Sequence, residues 1–133
     1  MQETVGAIVR EARLARESGE TARAVHLYRD AASTAEALDD VQGRIHALRH
    51  VSELAREMGK SREAVDAAEE AVALCRNVAD VPPLEQANAL RVAALALEAD
   101  GRCNEAHALW CDARGLYAAA GVPAGVAECE THL

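Results

Sequence analysis

The 133 residues carry a formal net charge of −8, half of them are apolar, and the aromatics are Tyr28, Trp110 and Tyr117 alone. An acidic chain without a basic run or an aromatic platform excludes nucleic acid as the expected partner, and no apolar run is long enough to span a bilayer. Residues 1–16 are interrupted by Arg10, Glu11 and Arg13, so they are not read as a secretory signal. The expected compartment is the cytoplasm, and the four cysteines are expected to be free thiols.

Alanine dominates the apolar residues, phenylalanine is absent, and no alternating pattern lasts long enough to pair as strands. The chain therefore reads as all-α, with helices close enough for alanine to fill the space between them. A first helix is expected over 4–18, with Ile8, Ala12 and Ala15 inward and Gly19 as a left-handed C-cap. Thr21 suits the N-cap of a second helix reaching residue 38, and Asp39 and Asp40 punctuate its end. The third helix, 41–58, turns Leu48, Val51, Ser52 and Ala55 inward. Ser61 is expected to cap a fourth, running to 78 with Ala64, Val65, Ala68, Ala71 and Val72 on its packed face. Pro82 and Pro83 form a rigid break that a helix can follow. The fifth helix, 84–99, carries Leu90, Ala93, Ala94 and Leu97 inward, and the sixth follows Gly101 and ends near Ala120. After Gly121-Val122-Pro123 the pattern of a seventh helix begins.

Three copies of one arrangement run through these elements. Counting from Gly19, Gly59 and Gly101, small or aromatic residues return at the fifth, ninth and twelfth places. They are Ala24, Tyr28 and Ala31, then Ala64, Ala68 and Ala71, then Ala106, Trp110 and Ala113. Spacings of four and three put them on one stripe of a helix, and a glycine period of 40 to 42 residues implies stacked helical hairpins. Gly125 and His132 repeat the offset of Gly43 and His50, as a partial fourth unit would. The expected layout is one domain, 1–133, with repeats at about 2–40, 41–81 and 82–121 and a partial capping helix at 123–133.

This pattern resembles the tetratricopeptide repeat (TPR), with its loop glycine, the small residue at five, the aromatic at nine and alanine at twelve. The units are longer than the family's usual 34 residues and look like the lengthened repeats appended to bacterial signalling and transcriptional regulators. The resemblance implies a right-handed superhelix of three antiparallel helix-turn-helix repeats plus a short C-terminal helix. It also implies a protein- or peptide-binding module, acting as an adaptor or regulator or as part of a larger one.

The resemblance places the first helix of each pair on the concave side. Positions thirteen, ten, six and three before each glycine would line that groove. They are Gly6, Val9, Arg13 and Arg16; His46, Arg49, Glu53 and Arg56; and Asn88, Arg91, Leu95 and Glu98. Five of the thirteen arginines fall there, and a guanidinium is suited to forked recognition of a carboxylate. The expected partner is a segment with acidic residues or a free C-terminus. The competing reading is a solvated face whose arginines pair with Glu17, Glu53, Glu57 and Glu98.

Cys103, His107 and Cys111 stand four apart on the sixth helix, with Cys129 and His132 downstream, which is the pattern for an alternative metal-binding reading. Against it, Cys103 takes the cap place of Thr21 and Ser61, and His107 takes the packed place of Val25 and Val65. No phosphate loop, serine elbow or paired acids occur, so neither catalysis nor a cofactor is expected. Self-association through the C-terminal end is a further expectation.

Overall fold

The structure, a computed structural model, describes residues 4–78 and 80–133. Among them lie seven α-helices and no strand: α1 (Val5–Glu17), α2 (Thr21–Ala37), α3 (Val41–Glu57), α4 (Ser61–Asn77), α5 (Pro83–Ala99), α6 (Cys103–Ala120) and α7 (Pro123–Thr131). Helices α1–α2, α3–α4 and α5–α6 pack as antiparallel hairpins, each hairpin leans on the next, and α7 packs on α6. The result is a solenoid of three hairpins and a closing helix. The expected first repeat starts at residue 2, and the second includes Ala79; both positions lie outside the described residues.

The loop glycines explain the tightness of the hairpins. Gly19, Gly59 and Gly101 have φ of 78°, 76° and 78°, a conformation that costs a residue with a Cβ. The residue after each glycine donates its N–H to a carbonyl five back: Glu20 to Ala15, Lys60 to Ala55 and Arg102 to Leu97, each at 2.8 Å. This is the bond that closes a helix with a left-handed cap. The carbonyls of Glu20, Lys60 and Arg102 then accept from Ala24, Ala64 and Ala106, so the next helix begins at once.

This corrects the expected caps. Thr21, Ser61 and Cys103 are the first residues of their helices, and Glu20, Lys60 and Arg102 are the N-caps, with no side-chain cap bond. The turn leaves no residue free to present a hydroxyl to the helix start. The Ser61 hydroxyl instead donates to Asp100, at 2.8 Å. Between α2 and α3, Asp39 adopts the left-handed conformation in place of glycine, and Asp40 caps α3 by accepting from the N–H of Gly43 at 2.9 Å.

The stripes read from sequence are the core. Ala24, Ala31, Ala64, Ala68, Ala71, Ala106, Trp110 and Ala113 are all fully buried. Ser52 shows how close α3 and α4 come, since its hydroxyl reaches the Ala64 carbonyl at 2.7 Å. A larger side chain at Ala64 has nowhere to go.

The terminal hairpins differ from the middle one where they face outward. Glu11 is exposed at the place where Val51 and Ala93 are buried. His107 is also exposed, although Val65 at the same place is 2% accessible. The expectation that His107 packs is thus corrected: among the described residues no helix follows on that side of α6.

Candidate functional site

The first helices α1, α3 and α5, with α7, line one continuous surface, and ion pairs stitch each to the next across it. Arg16 on α1 reaches Glu53 at 3.5 Å and Glu57 at 3.2 Å on α3. Arg49 on α3 reaches Glu85 on α5 at 3.3 Å. Arg91 on α5 holds Glu128 on α7 through Nε, at 2.9 and 2.7 Å to the two carboxylate oxygens. Three of the five groove arginines are therefore neutralised within the chain. Glu53 and Glu57 are the expected acids, whereas Glu85 and Glu128 were not anticipated. No ion pair joins Glu17 or Glu98 to an arginine among the described residues.

Arg13 and Arg56 stand apart, with no ion pair among the described residues. The reason for Arg56 is readable from the repeat. It holds the place of Arg16, but α5 presents Leu95 and Ala99 where α3 presents Glu53 and Glu57. Arg13 is exposed and lies near His46 and His50, close enough to bias both towards the neutral form.

The two histidines form the groove wall at α3. His50 stacks on Tyr28 with ring centroids 4.7 Å apart and planes 11° apart, and His46 meets it edge-on at 4.6 Å. Burial pushes the His50 imidazole down to about 4, helped by the surrounding His46, Arg49, Arg16 and Arg13. The Arg16 guanidinium lies 3.4 Å from His50 Nδ1 and can only donate, so Nδ1 accepts and the ring is neutral with its proton on Nε2. His46 is likewise lowered, by burial and then by Arg49.

At the other end Asn88 is held from below. The Tyr117 hydroxyl donates to its Oδ1 at 2.7 Å, and Gly125 of α7 rests against the Tyr117 ring, where an added Cβ would come within 2.4 Å. Glu98 accepts from Trp110 Nε1 and from His132 Nδ1, both at 3.0 Å, while the His132 and Trp110 rings stack 4.0 Å apart. Glu98 thus ties α5, α6 and α7 together.

Cys103, His107 and Cys111 all lie on the exposed side of α6. Among the described residues no three His, Cys, Asp or Glu side chains come together as a metal-holding group. Cys129 is buried, and His132 is engaged with Trp110 and Glu98. No helix among the described residues is long and apolar enough to cross a membrane.

The architecture is TPR-like. It is similar to the crystal structure of a kinesin light chain-like protein of Podosopora anserina with nearly identical TPR-like repeats, at a TM-score of 0.79 and 17% identity. The match covers 99% of this chain and 67% of that one. At that identity the likeness carries the fold alone. No protein-family model matches the sequence, and no curated protein does.

Proposed function

We propose that the concave surface is a protein- or peptide-recognition groove, and that the chain is a non-catalytic binding module of an adaptor or regulator. The observation that carries the reading is the pair Arg13 and Arg56. Arg13 on α1 and Arg56 on α3 lie on this surface without a carboxylate partner among the described residues, while their neighbours are locked in place by ion pairs. A bound segment supplies what they lack, in an acidic side chain or a free C-terminus, through charge-assisted hydrogen bonds. Arg16, His46, Arg49, Glu53, Asn88 and Arg91 form the walls that orient it, and Leu95 offers an apolar contact beside Arg56. Concave surfaces of helical solenoids serve this purpose widely.

The reading is tested by selecting displayed peptides on the wild-type chain and measuring the best of them by calorimetry. Arg13→Glu combined with Arg56→Glu should weaken binding about tenfold or more and leave the melting temperature near that of wild type. Arg62→Glu, an exposed outer-face control, should change nothing. Undiminished affinity in the double variant would remove the groove as the site.

A further inference from the structure

The outer face of the α6–α7 pair inverts the chemistry of its counterpart at α2–α3. The two pairs correspond residue by residue, 82 positions apart, from Tyr28 and Trp110 through His50 and His132. At α2–α3 this face is bordered by α4, whose Glu70 reaches across to Arg44. Ala32 and Leu48 are its buried apolar residues, and Glu36 and Arg44 its charged ones, with Arg44 paired to Glu36 and to Glu70 of α4. At α6–α7 the same four places read Arg114, Ala118, Val126 and Glu130. Where the first face is apolar the last is charged, and where the first is charged the last is apolar. A face shaped only for water would be polar at all four places.

Ala118 and Val126 open onto a shallow, mainly apolar cleft of about 360 Å³, completed by Gly121, Val122, Pro123 and Ala127 and edged by Glu130. Gly115 leaves the α6 backbone uncovered beside it, with nothing within 4 Å of where its Cβ would stand. Arg114 and Glu130 are both exposed and have no ion pair among the described residues.

We propose that this face docks a second copy of the chain about a two-fold axis running along the α6–α7 seam. The antiparallel pair turns at Gly121 and Val122, so Arg114 and Glu130 lie at one height on the two helices, and Ala118 and Val126 at another. A two-fold along the seam lays α6 of one copy on α7 of the other without changing height. Each Arg114 then meets the partner's Glu130, each Ala118 meets the partner's Val126, and the two Val122 residues meet near the axis. The face is its own complement in charge and in apolarity, which is what an isologous interface requires. An unrelated partner would have to reproduce that pattern.

Sedimentation velocity on the purified chain across a micromolar concentration series tests this. The wild type should show a monomer–dimer equilibrium. Ala118→Asp, at an exposed position, should leave only monomer. Arg114→Glu alone and Glu130→Arg alone should each weaken the dimer about tenfold or more, and the two together should restore it to within about threefold. A monomeric wild type overturns the proposal. So does a dimer that the charge exchange fails to restore, which would leave the face to another segment or partner. Arg13→Glu with Arg56→Glu should dimerise normally, so the outcome is separate from that for the groove.

Discussion

The two aromatic–imidazole stacks occupy equivalent places and use opposite proton arrangements. Tyr28 on His50 and Trp110 on His132 have nearly parallel rings, 11° and 13° apart, each joining a second helix to the first helix of the following unit. At the first stack the imidazole Nδ1 faces the Arg16 guanidinium and must accept. At the last, Nδ1 faces the Glu98 carboxylate, which can only accept, so the imidazole donates. Between them, where α4 meets α5, the corresponding residues are Ala68 and Val92, both buried. The fold therefore tolerates three chemistries, and very different volumes, at this position. The surroundings decide whether the ring is held neutral, hydrogen-bonded to an acid, or replaced by aliphatic groups.

The sharpest way to break the comparison is to remove the largest ring. Trp110 is completely buried and its indole N–H is satisfied by Glu98. Trp110→Ala should cost about 3–5 kcal/mol, a large share of the 5–15 kcal/mol typical of a folded domain. It should also loosen α7, because His132 loses its platform. Val92→Ala at the aliphatic junction removes less and should cost about 0.5–2 kcal/mol. Urea denaturation of both variants measures the difference, and equal losses would mean that the Trp110 stack holds nothing beyond an ordinary core contact.

The architecture was legible because it is periodic. Gly19, Gly59 and Gly101 each close a helix by the same backbone bond, and the stripes they index are buried as the spacing implies. The caps are not legible in the sequence because Thr21 and Ser61 have cap-forming side chains, but the three-residue turn places them already inside the helix. The groove was harder to read than the core because its ion pairs mostly join residues 36 or 37 apart, a step that differs from the glycine period. Arg49 reaches Glu85, sixteen residues before its glycine, whereas Arg91 reaches Glu128 on the short α7. Which acid meets which arginine depends on the stagger between successive helices, which the glycine period does not give. The ten-or-six spacing of Arg13, Arg49 and Arg91 gave no hint that two of the three are neutralised.

The first stack differs from the last in its response to pH. The folded value for His50, about 4, lies below the ordinary 6.5, so the unfolded chain takes up the proton first. The stability held by neutral His50 is complete above pH 6.5, declines as pH falls from 6.5 towards 4, and levels off below that. With allowance for solvent in the groove, the loss is about 2 kcal/mol. His50→Phe keeps a ring on Tyr28 and removes the titration, so its stability between pH 6.5 and 4 should fall less steeply than that of wild type. Parallel slopes in chemical denaturation across that range would show that His50 is not held neutral by its site.

The smallest effect separates the two stacks by their carboxylates. Glu98 contacts both members of the last stack directly and its side chain is 29% accessible, whereas Glu53 stands 4.0 Å from His50 and pairs with Arg16, which Glu57 also holds. Glu98→Gln retains an oxygen that can accept but loses the charge that strengthens two hydrogen bonds, and should cost about 1 kcal/mol. It should also shift the Trp110 emission, since the indole N–H loses a charged acceptor. Glu53→Gln leaves Arg16 with Glu57 and with His50, and a half-exposed pair of this kind contributes little, so its cost should stay within about 0.5 kcal/mol. The Trp110 emission should not respond, because Glu53 is engaged with Arg16 at the first junction whereas the indole N–H bonds to Glu98 at the last. Equal stability losses in the two variants, with an unmoved emission in both, would mean that Glu98 is an ordinary surface acid and adds nothing to the hold on α7.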